Sequence, residues 1–480
     1  MAVRFLVRPN TYFDSVVLMR AASLVSARPG VAAASLVMGT PANLALLAQA
    51  GLLDDDARVA GPNDLVIVVD GDHDALGPAL AEAEASLHPP PDPGASMSEG
   101  PRPRSLVAAV DAADHPNLAL ISVPGPYAAS EALKALRLGL NVFLFSDNVP
   151  VADEILIKEH AEGAGLIVMG PDCGTAVVAG IPLGFANHLR RGPVGLAGAS
   201  GTGLQQVSVL IDRWGVGVSH ILGTGSRDLS AEVGGRSTRA ALAALVEDPM
   251  TEVIVLVAKP PAPAVAARVL DQAADCGKPV VACFLGEELT PPAPSVTVVR
   301  TLEEAASAAV RLAGGTPPEG PPSTPPEGPP ARHGDLLRAL YTGGTFAYEA
   351  AAILGAGPRH VLRDLGADEF TVGRPHPMID PAVRVPHLRE ALADPATAVV
   401  LLDVVSGYGA SADPITPLLS VLESAPPGGP AVIAFVVGTE ADPLPRSLIE
   451  RQLAEVGVLL AASSTAALQL AARVLSGAAT

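Results

Sequence analysis

Short, almost unbroken apolar runs alternate with stretches in which apolar residues recur every three or four positions. This pattern fills the chain beyond residue 105. Runs such as Val253-Ile-Val-Leu-Val-Ala258 are far too short to span a membrane and read as strands buried on both faces of a parallel sheet. The pattern predicts strands at 118–123, 141–145, 165–169, 194–198, 219–222, 253–258 and 279–284. It predicts helices at 128–138, 151–163, 203–213, 237–246, 262–275 and 301–312. Regular strand–helix alternation implies parallel sheets with crossover helices. Residues 1–87 predict a smaller β-α-β-α-β unit, with strands at 3–7, 33–38 and 64–69 and helices at 15–25 and 41–50.

Composition sets the boundaries. Residues 88–104 and 314–334 are rich in Pro, Gly and Ser, and the second stretch repeats Thr-Pro-Pro-Glu-Gly-Pro from Thr316 and again from Thr324. Such segments build no core and act as linkers. The expected organisation is a small N-terminal α/β unit (1–87), a Rossmann-type domain (105–189), a flavodoxin-like domain (190–313), a Pro-rich linker (314–334) and a further domain (335–480). The last domain repeats the one before the linker. Val194–Thr202 corresponds to Leu336–Thr345, Asp248-Pro to Asp394-Pro, Gly277–Phe284 to Gly429–Phe435, and helix 301–312 to 465–475. The fold class is therefore α/β, with several Rossmann/flavodoxin-like parallel-sheet domains, two of them a duplicated pair.

Charge narrows the function. There are 31 basic and 50 acidic residues, for a net charge of -19, and only four of the basic ones are Lys. That argues against binding a nucleic-acid backbone, while small anions remain compatible because helix N-termini bind them without basic side chains. Three cysteines with no Cys-x-x-Cys pair argue against a zinc ribbon and fit a reducing compartment. No metal and no membrane contact are expected. The start lacks a sustained apolar region, so a cytoplasmic protein is expected.

The chemistry is expected where buried strands run into glycine-rich loops and then helices, at Gly198-Ala-Ser-Gly-Thr-Gly203 and Thr342-Gly-Gly-Thr345. Glycines let a ligand approach the backbone, and the first helical turn offers unpaired N–H groups at the positive end of the dipole. Ser200, Gly201 and Thr202, with Gly343, Gly344 and Thr345, are thus the candidate phosphate- or anion-binding residues. Neither a P-loop nor a dinucleotide fingerprint is present there. Cys173 in Gly170-Pro-Asp-Cys-Gly-Thr175 reads either as a nucleophile or as a small buried thiol. Arg227 and Asp228 follow strand 219–222, and Arg374 and His376 lie in Thr371–Asp380. The arginines could neutralise an anion or form ion pairs. His376, between two prolines, could act as an acid–base group or hold its loop. His220, within an apolar strand, reads as a core histidine.

Asn117–Tyr127, Gly170–Thr175, Gly198–Gly203 and the run to Lys259-Pro-Pro261 resemble the α subunit of succinyl-CoA synthetase. Met38–Asn43, Phe145-Ser-Asp-Asn-Val149, the Gly223–Ser230 segment and Thr371–Pro381 are similar to the FdrA family of that superfamily. The resemblance implies a CoA-binding-like domain at 105–189, with Pro124, Asp172, Cys173 and Gly174 as substrate- or CoA-binding residues. It further implies CoA-ligase-like domains at 190–313 and 335–480 and phosphate as substrate or product. His376, Arg374, Arg227 and Asp228, from the loops after strands, are the candidate catalytic set. The active-site histidine loop of the synthetase has no counterpart, since its place reads Phe284-Leu-Gly-Glu-Glu-Leu-Thr-Pro291. By this resemblance the expected function is acyl or carbamoyl transfer involving phosphate, within an oxamate carbamoyltransferase-like assembly of unlike subunits. The alternatives are an acyl-CoA synthetase α-type subunit using CoA, and a non-catalytic scaffold.

Overall fold

The computed structural model describes residues 2–87 except 14, 27, 50 and 53–59, residues 103–318, and residues 334–476 except 356, 372–374 and 426–427. The chain forms two compact units. One comprises Met1–Arg102 with Asp368–Val383; the other comprises Pro103–Ala367 and Arg384–Thr480.

The N-terminal unit runs β1 (Ala2–Arg8), α1 (Ser15–Ser26), β2 (Val31–Met38), α2 (Pro41–Gln49), β3 (Leu65–Gly71) and α3 (His73–Leu87). Its sheet has the order β1-β3-β2 and is antiparallel throughout. The most apolar strand is central, and Leu65 through Val69 are all buried. The five predicted elements are present. The sixth, α3, escapes prediction because Gly77-Pro78 reads as a breaker, yet Leu76, Ala79, Ala83 and Leu87 form one buried stripe. Burial of that stripe outweighs the local propensity.

The larger unit begins with α4 (Leu106–Ala112), β4 (Leu118–Ile121), α5 (Gly125–Arg137), β5 (Asn141–Leu144), α6 (Val151–Ala164) and β6 (Val168–Met169), a parallel sheet in the order β4-β5-β6. A hairpin follows, β7 (Thr175–Val178) and β8 (Ile181–Gly184). Then come β9 (Arg191–Gly198), α7 (Gly201–Arg213), β10 (Val218–Gly223), α8 (Arg236–Glu247), β11 (Val253–Ala258), α9 (Pro263–Ala274), β12 (Val280–Phe284), β13 (Val296–Val299) and α10 (Leu302–Leu312). Their sheet has the order β13-β12-β11-β9-β10-β7-β8. The hairpin pairs antiparallel with β10, so residues 175–184, which precede the expected boundary at 189, belong to the next sheet. Its four-residue strands are too short to show a period.

The C-terminal part comprises β14 (Leu336–Tyr341), α11 (Gly344–Leu354), β15 (His360–Asp364), α12 (Asp368–Thr371, within the N-terminal unit), α13 (Val385–Ala393), β16 (Thr397–Val405), α14 (Thr416–Glu423), β17 (Ala431–Val437), α15 (Arg446–Glu455), β18 (Leu459–Ala461) and α16 (Ser464–Ser476). Its sheet order, β15-β14-β16-β17-β18, reproduces β10-β9-β11-β12-β13 strand for strand, all parallel. The sequence repeat is thus a repeat of topology.

The two copies pack through equivalent helices, α7 and α10 of the first against α11 and α16 of the second. Glu349 on α11, fully buried, accepts from the Leu302 N–H (2.9 Å), the Thr465 hydroxyl (3.0 Å) and the Ser464 hydroxyl, joining the N-termini of α10 and α16. Burial raises its pKa. On the same side, the Asn187 amide donates to Ser406 O (2.9 Å) and Asp442 Oδ2 (2.8 Å). Among the described residues, no helix is long and apolar enough to cross a membrane.

Candidate functional site

Parallel strands β9 and β14 each end in glycine-containing turns at the carboxyl edge of a sheet, the usual ligand edge of such folds. β9 leads through Ser200 into α7, and β14 through Thr342 and Gly343 into α11. The two helix N-termini meet. Ser200 Oγ and Thr345 Oγ1 share a hydrogen bond of 2.8 Å, and both side chains are buried. A Cβ built on Gly343 would lie 2.6 Å from Thr202 Cγ2, and one on Gly203 would lie 2.9 Å from Thr345 Cγ2. Only glycine permits backbones to come this close. Neither helix carries a side-chain cap, so no N-cap side chain takes up the first-turn N–H groups of either. Gly201 and Gly344 are half-exposed there. The six predicted anion-site residues are therefore brought together.

Each loop is held from behind. Asp403, fully buried at the end of β16, accepts from the Thr342 N–H (2.9 Å) and the Thr342 hydroxyl (2.5 Å). The buried Arg384 guanidinium donates to Asp403 Oδ1 (3.3 Å) and to the Leu340 and Asp403 carbonyls (2.7 Å each). Burial raises the Asp403 pKa, opposed by Arg384. On the α7 side, Thr175 Oγ1 lies 3.4 Å from a Cβ built on Gly201, which brings the start of the hairpin to this helix.

Asp228 is fully buried. It accepts from Lys158 Nζ (2.8 Å), from the Ser237 and Thr238 N–H groups (3.1 and 2.8 Å) and from the Thr238 hydroxyl (2.7 Å), capping α8. Lys158 also donates to Glu154 (2.8 Å), and Arg227 donates to Glu154 Oε2 (3.1 Å) and the Val149 carbonyl (2.6 Å). These four side chains tie α6 to the loop after β10. Cys173 is buried with its sulfur on the Thr175 carbonyl (3.5 Å), and burial pushes its thiol pKa up to about 12. It carries no thiolate at neutral pH. Asp172 is exposed with a φ of 55°, Gly174 packs beside Phe185, and Pro124 is the residue before α5. His220 Nδ1 accepts the Ala179 N–H (3.2 Å), and its Nε2 lies 3.5 Å from Asp248.

Arg374 lies outside the described residues. His376 belongs to the segment grouped with the N-terminal unit, whereas the Ser200–Thr345 junction lies in the larger unit. Its Nδ1 accepts the Met378 N–H (3.2 Å), and burial lowers its pKa to about 4 from 6.5. Between those pH values the unfolded chain binds a proton that the folded chain excludes. Stability of the N-terminal unit therefore falls as pH drops through that window, by up to about 3 kcal/mol. Urea unfolding at pH 7 and pH 4.5 checks this, since His376→Gln should remove that share of the difference.

Three families match parts of the chain. A CoA-ligase family matches residues 340–474, and a CoA binding domain family matches residues 190–286, the stretch read above as the first ligase copy. A family described as AllF, heavy metal-associated domain, matches residues 1–103. The uncharacterized protein YahF of Escherichia coli (strain K12) is 38% identical over 97% of both chains. This chain belongs to the YahF family. The succinate–CoA ligase [ADP-forming] α subunit of Staphylococcus epidermidis is 26% identical, over 37% of this chain and 58% of that one. A dinucleotide-forming acetyl-coenzyme A synthetase from Ca. Korarchaeum cryptofilum is similar over 76% of this chain and 85% of that one, at 15% identity and a TM-score of 0.35. The YahF-family chain is thus succinyl-CoA synthetase-like across its CoA-binding and CoA-ligase domains. Its first domain does not suit a thiophilic metal. Residues 1–103 contain no cysteine, and among the described residues no group of three or more His, Cys, Asp or Glu side chains is placed to hold a metal ion.

Residues that the sequence reading missed are Lys259 and Asp364. Each stands at the carboxyl end of a strand, where ligand-binding side chains are expected.

Proposed function

We propose that this YahF-family chain is the acyl- or carbamoyl-transfer subunit of a multi-subunit enzyme that uses phosphate, of the oxamate carbamoyltransferase type. The meeting of two uncapped helix N-termini at Ser200 and Thr345 carries this reading. Such a place holds phosphate and stabilises charge developing on a carbonyl oxygen. With oxalurate, a phosphate oxygen attacks the carbamoyl carbon to give a tetrahedral oxyanion. The C–N bond then breaks, and the leaving nitrogen takes a proton to give oxamate beside carbamoyl phosphate. The first-turn N–H groups position the phosphate and bear the oxyanion. No residue of this chain is assigned the proton transfer. The CoA binding domain match favours a second reading, acyl transfer to CoA as in an acid–thiol ligase.

Binding and turnover test the proposal. Inorganic phosphate titrated into the full chain should broaden its ³¹P resonance, and Gly201→Val should abolish the effect. Only Thr175 Oγ1 comes within 4 Å of a Cβ built there, so the added β-carbon itself meets no clash. The chain alone should form no ADP from ATP, CoA and succinate. Robust ADP formation by the chain alone would overturn the first reading in favour of the second.

A further inference from the structure

Three of the four lysines have partners. Lys134 pairs with Glu131, Lys158 with Glu154 and Asp228, and Lys278 donates to the Leu245 and Asp248 carbonyls. Lys259 alone makes no ion pair and no hydrogen bond among the described residues. It follows β11 in the first ligase-like copy and is half-buried. Its ammonium reaches the second copy. Nζ lies 5.1 Å from the centroid of the Tyr348 ring on α11 and 2.9 Å from a Cβ built on Gly344, the first residue of that helix. The same Cβ would strike Asp364 Oδ2, while Asp364 Oδ1 accepts the Gly366 N–H at 3.0 Å.

An ammonium beside the positive end of a helix is unfavourably placed. One neighbouring carboxylate offsets one charge, and the two N-termini add their own partial positive charge. A compact point charge on a flexible stem thus stands where the two copies meet. We infer that Lys259 is an anion-binding residue that reaches from one ligase copy to the helix N-terminus of the other and selects a doubly charged oxyanion over a singly charged carboxylate. This rests on the reading of the Ser200–Thr345 junction as an anion site. Tyr348, its ring presented to the ammonium, holds the stem in place.

Isothermal titration of inorganic phosphate into the full chain tests the inference, with sulfate and acetate as competitors. Lys259→Met should weaken phosphate binding at least ~10-fold, and Lys259→Arg should stay within a few-fold of wild type. Sulfate should displace phosphate, and acetate at equal concentration should not. Wild-type affinity in Lys259→Met, with binding still lost in Gly201→Val, would overturn the role of Lys259 and leave the proposed function standing. Equal competition by acetate would overturn the charge selectivity. Failure of the wild-type chain to bind phosphate at all would overturn both.

Discussion

Replacing Lys158 by methionine should cost the larger unit about 3–5 kcal/mol of stability, the usual penalty for removing one partner of a buried ionic cluster. Lys158 is 2% exposed, and both carboxylates it serves, Glu154 and Asp228, are fully buried. Arg227 still reaches Glu154 in the variant, but Asp228 keeps only hydrogen bonds from the start of α8. The cluster joins α6 to the loop after β10, so its loss should loosen one subdomain from the next. Urea denaturation followed by circular dichroism and by tryptophan fluorescence measures the loss. Trp214, the only tryptophan, ends α7 within that unit. A midpoint shift worth less than about 1 kcal/mol would show that the carboxylates can be satisfied without the lysine.

Wedging the two copies apart should impair function. A methyl group on Gly343 would strike Thr202 at Oγ1, Cγ2 and Cβ, and the last lies 2.8 Å from the added carbon. Gly343→Ala should therefore push α11 from α7, costing about 1–3 kcal/mol as overpacking does. It should lower the rate of the proposed transfer reaction at least ~100-fold, because displacement by about 1 Å is enough for that. Thr202→Ala removes two of the three struck atoms. The double variant should recover part of the stability, and a double-mutant cycle reads the coupling directly. Additive losses would mean that the two loops do not confine one another.

Strand positions were legible because parallel strands buried on both faces are nearly pure apolar runs. Residues 253–258 were bounded to the residue for that reason. The repeated Gly-Thr loops were legible as a pair, since each follows such a run. Contacts that depend on tertiary placement were not. Arg227 and Asp228 read as catalytic candidates because they follow a strand end, but the direction of their side chains depends on α6, some 70 residues upstream. Lys259 was invisible as a site residue because its neighbours Gly344 and Tyr348 lie in the other copy. Cys173 shows the same limit. Its thiol is set by packing beside Gly223, where a built Cβ would lie 2.6 Å from the sulfur.

The grouping of Asp368–Val383 with Met1–Arg102 has a consequence for biosynthesis. Residues 1–102 leave the ribosome first, yet a piece of their unit, including the buried Pro377 and Met378, is translated after some 265 intervening residues. At about 5–20 residues per second this is a wait of roughly 13–53 s. During that interval the nascent unit lacks a segment of its folded form. Cleavage of stalled nascent chains by a protease should therefore nick the N-terminal unit until residue 383 has emerged, and spare it afterwards.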